Sequence, residues 1–165
     1  MTAVQTVMTV VLIGAGATVC MDLWLALLQR CGVPVQSFAM IGRWVGHMAR
    51  GRFRHAAIGK AAPIHGELAM GWAVHYAVGI VFATVFLAVV GSAWLQRPTV
   101  MPAMLFGWAS VVMPFFIMQP AMGAGIAASK TPTPFKNAVR SIANHSVFGF
   151  GMFIAAQIIA GVGHV

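Results

Sequence analysis

Four long apolar windows run through the chain, and they constrain its fold more than any other feature. They cover approximately residues 4–29, 64–90, 100–128 and 138–161. A helix needs roughly 20 apolar residues to cross the hydrocarbon core of a bilayer, and each window is long enough. Charged residues make up only 7% of the chain, whereas a soluble domain has about 25%. The sequence therefore predicts an all-α, polytopic membrane protein with a single four-helix transmembrane domain over residues 1–165.

The positive charges are distributed unevenly among the connections between these windows. The first connection carries Arg30, Arg43, Arg50, Arg52, Arg54 and Lys60, and the third carries Lys130 and Lys136, followed by Arg140. The second connection carries only Arg97. Because cytoplasmic loops are enriched in Lys and Arg, we expect the two basic connections to face the cytoplasm and both termini to face the periplasm of a bacterial inner membrane.

The net charge predicts the class of partner. Asp22 and Glu67 are the only acids against ten Lys and Arg residues, so the formal charge is +8. A basic surface on the cytoplasmic side of a membrane protein favours contact with anionic lipid headgroups, and not with nucleic acid. A bundle of four helices is small for a complete transport path, so transport would require a homo-oligomer or a partner membrane subunit.

Basic residues recur at helical spacing in the first connection. Arg43, His47, Arg50 and Arg54 share one side of a helix, and the opposite side is mainly apolar, with Phe38, Ile41, Trp44, Val45 and Met48. This pattern predicts a short cytoplasmic amphipathic helix at the membrane interface. It is interpreted either as a lipid anchor or as a site at which Arg43 and Arg50 bind an anionic substrate or headgroup.

Each apolar window carries one polar residue at a similar depth, namely Asp22, His75, Gln119 and His145. A rise of 1.5 Å per residue, counted from the basic ends, places them in a slab about 10 Å thick. An Asp inside a span is unfavourable by roughly 2.5 to 3.5 kcal/mol on insertion scales, so it faces the bundle interior with a partner. We predict that Asp22 pairs with His75 or His145 and that the four residues form a buried binding layer.

A second group of residues is predicted at the cytoplasmic mouth of this layer. Glu67, Gly71 and His75 are spaced by four positions, which places Glu67 on the same helix face as His75. The predicted mouth consists of Glu67, His65, Arg43, Arg50 and Lys130.

Three interpretations of the polar layer remain open. The first is a hydrogen-bond network that only holds the helices in register. The second is a ligand or ion site coupled to protons, because Asp, Glu and His residues form proton relays in membranes. The third is a haem or divalent metal site through His75 and His145, with Asp22 as a third ligand or as a hydrogen-bond partner of the ligands.

Signals for an enzyme are weak. The chain has no serine elbow, Walker loop or pair of catalytic carboxylates. Cys20 and Cys31 are too far apart for a CxxC motif. We therefore assign no catalytic residue.

Several motifs together resemble one bacterial family. They are Asp22-Leu23-Trp24, Gly42-Arg43-Trp44, Glu67 with Gly71-Trp72 and His75-Tyr76, Gln119-Pro120 with Gly123 and Gly125, Ala127-Ala128-Ser129-Lys130-Thr131-Pro132, and His145 with Phe148-Gly149. The pattern covers nearly the whole chain and resembles the family catalogued as domain of unknown function 2938. The resemblance implies a small inner-membrane protein of four spans and carries no established activity.

Overall fold

The structure is a computed structural model that describes residues 2–162. All regular secondary structure in these residues is helical, and they contain no strand, which confirms the predicted all-α class. The α-helices are α1 (Ala3–Arg30), α2 (Phe38–Met48), α3 (Glu67–Val90), α4 (Val100–Ser110), α5 (Gln119–Ala121) and α6 (Pro134–Val162). A π-helical segment, Pro114–Met118, lies between α4 and α5, and short 3-10 segments lie at Ile58–Lys60, Ser92–Gln96 and Ile126–Ala128.

Four helical segments among the described residues are long and apolar enough to cross a membrane, as predicted. They are Val4–Arg30, Glu67–Val90, Val100–Ala121 and Pro134–Gly161. The third ends at Ala121 and does not reach residue 128, because the chain turns at Gly123 and Gly125, whose φ angles are 93° and 77°. Such angles suit glycine and end a right-handed helix.

A helix, α2, is present in the first connection, but it ends before the last of the basic residues that recur at helical spacing. α2 ends at Met48, so Arg50 and Arg54 follow the helix and do not extend its face. Arg43 and His47 are buried, which means that the basic side of α2 packs against protein.

The chain forms two compact units. The first contains the described residues within Met1–Val33, Tyr76–Ser110 and Asn144–Val165. The second contains Pro34–His75 and Val111–Ala143.

Close glycine contacts and an apolar core hold the first unit together. A Cβ atom on Gly107 would lie 2.5 Å from the carbonyl oxygen of His145 and 3.0 Å from Cα of Gly149, so α4 and α6 approach backbone to backbone. A Cβ on Gly14 would lie 2.6 Å from Cα of Ile80, which shows an equally close contact between α1 and α3. The core consists of Ile13, Ala17, Ala83, Phe86, Leu87, Trp94, Ala103, Phe148, Met152 and Ala156.

A close glycine contact and backbone hydrogen bonds hold the second unit together. α2 lies directly on the start of α3, because Gly42 and Gly71 each leave no room for a Cβ atom against the other helix. The chain after α2 is joined to the end of the third span by backbone hydrogen bonds from His55 to Ala121 (2.8 Å) and from Ile58 to Met122 (3.0 Å). These contacts position the charged side chains of the unit.

Candidate functional site

Arg43 and Glu67, both predicted at the mouth, form an ion pair in the second unit. Nε of Arg43 donates to Oε2 of Glu67 at 2.8 Å and Nη2 donates to Oε1 at 2.7 Å. A two-bond Arg–carboxylate pair of this kind is strong and directional. The Gly42–Gly71 contact brings the two helices close enough for this pair to form.

Other donors and acceptors of this pair are also used within the second unit. Nη1 of Arg43 donates to the Ala61 carbonyl at 3.1 Å, and Oε2 of Glu67 accepts the Ile64 N–H at 3.0 Å. The hydrogen bonds to Glu67 raise the pKa of Arg43 above its ordinary value. The two side chains are only 9% and 17% exposed. This geometry is that of a structural clamp, and it leaves Arg43 poorly placed to bind an external anion.

The other predicted mouth residues have separate surroundings. Arg50, His65 and Lys130 are exposed, and Lys130 lies on the loop between α5 and α6. The structure thus brings Arg43 and Glu67 together, while a shared mouth for all five residues stays a prediction.

Asp22 has a hydrogen-bond partner that the sequence did not predict. In the first unit, the hydroxyl of Tyr76 donates to Oδ2 of Asp22 at 2.8 Å. Tyr76 is the only tyrosine of the chain and directly follows His75, which is the signal that could have identified it. The predicted pairing of Asp22 with His75 or His145 stays a prediction.

Thr18, one turn before Asp22, is fully buried, and its hydroxyl donates to the Gly14 carbonyl at 2.8 Å. Its side chain packs against Gly79 of α3, where a Cβ atom would clash with it. This contact holds α1 and α3 close together within two turns of the Asp22–Tyr76 pair. The pair is therefore supported by packing and does not depend on long, flexible side chains.

His145 is also hydrogen-bonded in the first unit. Its Nδ1 lies 2.7 Å from Oγ of Ser110, and the Ser110 hydroxyl donates its proton to the Gly107 carbonyl at 2.6 Å. Since a hydroxyl has one proton to donate, donation to Gly107 requires a proton on Nδ1 of His145, whereas donation to Nδ1 requires the other tautomer. The His145 ring lies beside Phe82, with ring centroids 6.4 Å apart.

His75 and Gln119 lie in the second unit. The His75 ring packs against Phe38 and Trp72, at centroid distances of 4.6 and 5.9 Å. Nε2 of Gln119 donates to Oγ of Ser141 at 3.2 Å, while its Oε1 is buried and accepts no hydrogen bond from the described residues. Gln119 directly follows the π-helical segment, which starts at Pro114 because proline cannot donate the regular helical hydrogen bond.

Each member of the predicted layer therefore has local contacts within its own unit. A joint site of Asp22, His75, Gln119 and His145 stays a prediction. Across the described part of the chain, no group of three or more His, Cys, Asp and Glu side chains is arranged to hold a metal ion. The haem or metal interpretation continues to depend on the sequence pattern alone.

Two histidines outside the predicted site are close neighbours in the second unit. The rings of His47 and His55 have centroids 5.0 Å apart, and Nε2 of His47 lies 2.9 Å from the Ala62 carbonyl. Burial, followed by the nearby charges of His47 and Arg52, lowers the pKa of His55. No sequence motif marks His55, so its environment was not foreseen.

Comparison with curated proteins and with solved structures found no match. A family model described as "Protein of unknown function (DUF2938)" matches residues 11–159, which is nearly the whole chain. This match confirms the resemblance drawn from the residue motifs. The chain therefore belongs to the DUF2938 family of proteins of unknown function.

Proposed function

We propose that this protein is a small membrane protein with a proton-coupled site for a small ligand or ion, built on Asp22 and Tyr76. The observation that carries the proposal is the 2.8 Å hydrogen bond from the Tyr76 hydroxyl to the Asp22 carboxylate. Asp22 lies well inside a span, whereas Glu67, the other acid, lies at the first residue of one. Ionisable groups within spans typically serve ion pathways and proton relays.

The chemistry of the pair accounts for the coupling. The ionised carboxylate accepts a hydrogen bond from Tyr76, and a protonated Asp22 has a donor of its own and no longer holds the tyrosine in the same way. A cation or a ligand donor competes with the proton for the same carboxylate oxygens. Binding of one therefore displaces the other. The predicted polar layer adds three residues to this proposed site, namely His145, His75 and Gln119.

The proposed setting is the bacterial inner membrane, with both termini in the periplasm. The support is the concentration of Lys and Arg in the first and third connections. We also propose that α2 lies at the cytoplasmic interface, where exposed apolar side chains nearby, such as Phe53 and Leu68, would contact lipid. Anionic headgroups would balance the basic connections, and a homo-oligomer or a partner subunit would complete a transport path.

A structural network is the second candidate. It is favoured by the local partners of the polar residues, such as Ser110 for His145 and Ser141 for Gln119. Under this candidate the hydrogen bonds hold helices in place and no ligand binds. Haem or metal binding through His75, His145 and Asp22 is a third hypothesis, and an absorption spectrum with elemental analysis of the purified protein tests it directly.

The variant Asp22→Asn separates the first two candidates, because asparagine still accepts a hydrogen bond from Tyr76 but does not exchange a proton. The protein is reconstituted in vesicles that contain a pH-sensitive dye, and proton flux is measured after a potassium diffusion potential is imposed. We expect the wild type to carry protons and Asp22→Asn to fall to the rate of protein-free vesicles. Its unfolding temperature in detergent should stay close to that of the wild type.

The opposite pattern supports the structural network: no flux above that of protein-free vesicles with either protein, and a lower unfolding temperature for Asp22→Asn. Tyr76→Phe serves as a companion variant, because it removes the hydrogen bond and keeps the carboxylate. Flux that persists in Tyr76→Phe with a shifted pH dependence would identify Asp22 as the group that exchanges the proton.

A further inference from the structure

A cleft in the second unit shares no lining residue with the Arg43–Glu67 pair or with the predicted polar layer. Its volume is about 370 Å³, and sites for small molecules span roughly 300 to 1,000 Å³. The lining residues that can bind a ligand are His55, Ser129 and Lys130, and the backbone at Gly123 and Gly125 forms part of the wall.

The wall of the cleft is held in place by backbone contacts. Gly123 packs so closely on the Ala56 carbonyl that no Cβ atom would fit there. Lys130 N–H donates to the Ala124 carbonyl at 2.8 Å, and Ser129 N–H donates to the Ile126 carbonyl at 2.9 Å. These bonds close the loop on itself and fix the positions from which the Ser129 and Lys130 side chains extend.

Two alanines in this loop have unusual backbone angles. The φ angles of Ala127 and Ala128 are 48° and 63°, in the left-handed region that alanine rarely adopts. Such strain persists only where the surrounding structure imposes it, and it is concentrated at binding and active sites. Ala128 is buried, and its carbonyl accepts the N–H and the hydroxyl of Thr131 at 2.9 and 2.7 Å.

The side chains in the cleft have unused donors. Both ring nitrogens of His55 are buried and have no hydrogen-bond partner of ordinary geometry within residues 2–162, although the Ala121 backbone acts on the ring and opposes the lowering of its pKa. Buried polar atoms without a partner are rare and call for an explanation such as a missing ligand. The Lys130 ammonium makes no ion pair with any residue that the structure describes. Lysine, serine and imidazole can each donate to the same small group.

The charges around the cleft favour an anion. Neither acid of the chain lines it, and Glu67 is already bound by Arg43. Lys130 is positive, and the Arg52 charge acts on His55. No lining carboxylate is present to attract a cation, so the lining favours an anionic ligand.

We propose that this cleft binds the phosphate group of a small ligand or of a lipid headgroup, with Lys130 as the ionic partner and Ser129 and His55 as hydrogen-bond donors. A phosphate has several acceptor oxygens pointing in different directions, which suits three donors around a cleft, and its hydrogen bonds to charged donors are strong. The site goes beyond the proposed function, because it shares no residue with Asp22 and Tyr76.

The test compares Lys130→Met with Lys136→Met. Both variants remove one positive charge from the third connection, but Lys136 does not line the cleft. The unfolding temperature of each protein in a neutral detergent is followed during titration with inorganic phosphate, with chloride at matched ionic strength as the reference. A second arm uses nanodiscs of phosphatidylcholine with or without phosphatidic acid. It measures how far each lipid protects the loop between α5 and α6 from a protease.

We expect phosphate, but not chloride, to raise the unfolding temperature of the wild type. In Lys130→Met, the phosphate concentration needed for the same rise should be about tenfold higher or more, as for loss of a charged hydrogen bond. In Lys136→Met, this concentration should stay within about twofold of the wild-type value, because the variant keeps every donor in the cleft. Protection by phosphatidic acid without an effect of free phosphate, again lost only in Lys130→Met, identifies a lipid headgroup as the ligand. Equal effects in both lysine variants, or no effect of either probe, overturn the proposal.

Discussion

Arg43 shows how the hydrogen-bond partner of a charged side chain decides the role of that side chain. Its position suits an anion-binding residue on a basic helix, but its guanidinium is held by Glu67 and the Ala61 carbonyl. Glu67 in turn occupies the first residue of α3, where the positive end of the helix dipole also favours a carboxylate. Both acids of this chain thus have a partner: Arg43 for Glu67, and Tyr76 for Asp22.

Removal of one member of the ion pair should be more harmful than removal of both. Glu67→Gln leaves the guanidinium of Arg43 without a counter-charge, so we expect the free energy of unfolding to fall. The double variant Arg43→Met with Glu67→Met should recover most of this loss, because apolar side chains of similar volume replace a buried pair well. Detergent-induced unfolding of the three proteins provides the comparison. An equal loss in the single and double variants would contradict the clamp interpretation.

Glycine contacts dominate at the scale of the elements. They set the distance between α4 and α6 at Gly107 and Gly149, and between α2 and α3 at Gly42 and Gly71. Small residues at such contacts are typical of membrane helices, because lipid offers no hydrophobic force to press helices together and close packing must supply the attraction. The same contacts bring Arg43 to Glu67 and His145 to Ser110.

The variants Gly149→Ala and Gly161→Ala test this packing on a single helix. A Cβ on Gly149 would lie 2.6 Å from the Ala103 carbonyl oxygen, whereas a Cβ on Gly161 would have no neighbour within 4 Å. We expect Gly149→Ala to lower the free energy of unfolding by about 1 to 3 kcal/mol through overpacking. Gly161→Ala should be neutral or stabilising by up to about 1 kcal/mol, since alanine is the better helix former. A neutral Gly149→Ala would contradict the close approach of the helices.

For the whole molecule, the prediction that matters most is the orientation of the four spans. Cys31 is exposed and lies in the first basic connection, so we expect it to face the cytoplasm. In a Cys20→Ala background, a membrane-impermeant maleimide should label Cys31 only after spheroplasts are permeabilised. Ser92→Cys, placed in the second connection of a cysteine-free chain, should be labelled without permeabilisation. The reverse labelling pattern would invert the proposed topology.

Much of the fold was predictable, but the ends of its elements were less so. The predicted third window continued to residue 128, and the helix ends at Ala121, because hydropathy alone does not register the positive φ angles at Gly123 and Gly125. Basic residues continue at helical spacing beyond Met48, but the helix ends at that residue. Among the candidate site residues, Asp22 was predicted from its place in a span. His55 was missed because no motif marks it, and Tyr76 was missed although it is the only tyrosine of the chain and directly follows His75.

Composition, local apolar runs and short motifs along the chain were enough to determine the class of protein, the four spans and the family. Only the three-dimensional structure showed which side chains contact one another. Arg43 meets Glu67, Tyr76 meets Asp22, and His55 shares a cleft with Lys130. These pairings join residues far apart in the chain, and they depend on how closely helix backbones approach at glycines such as Gly42 and Gly71, a distance that no local pattern encodes.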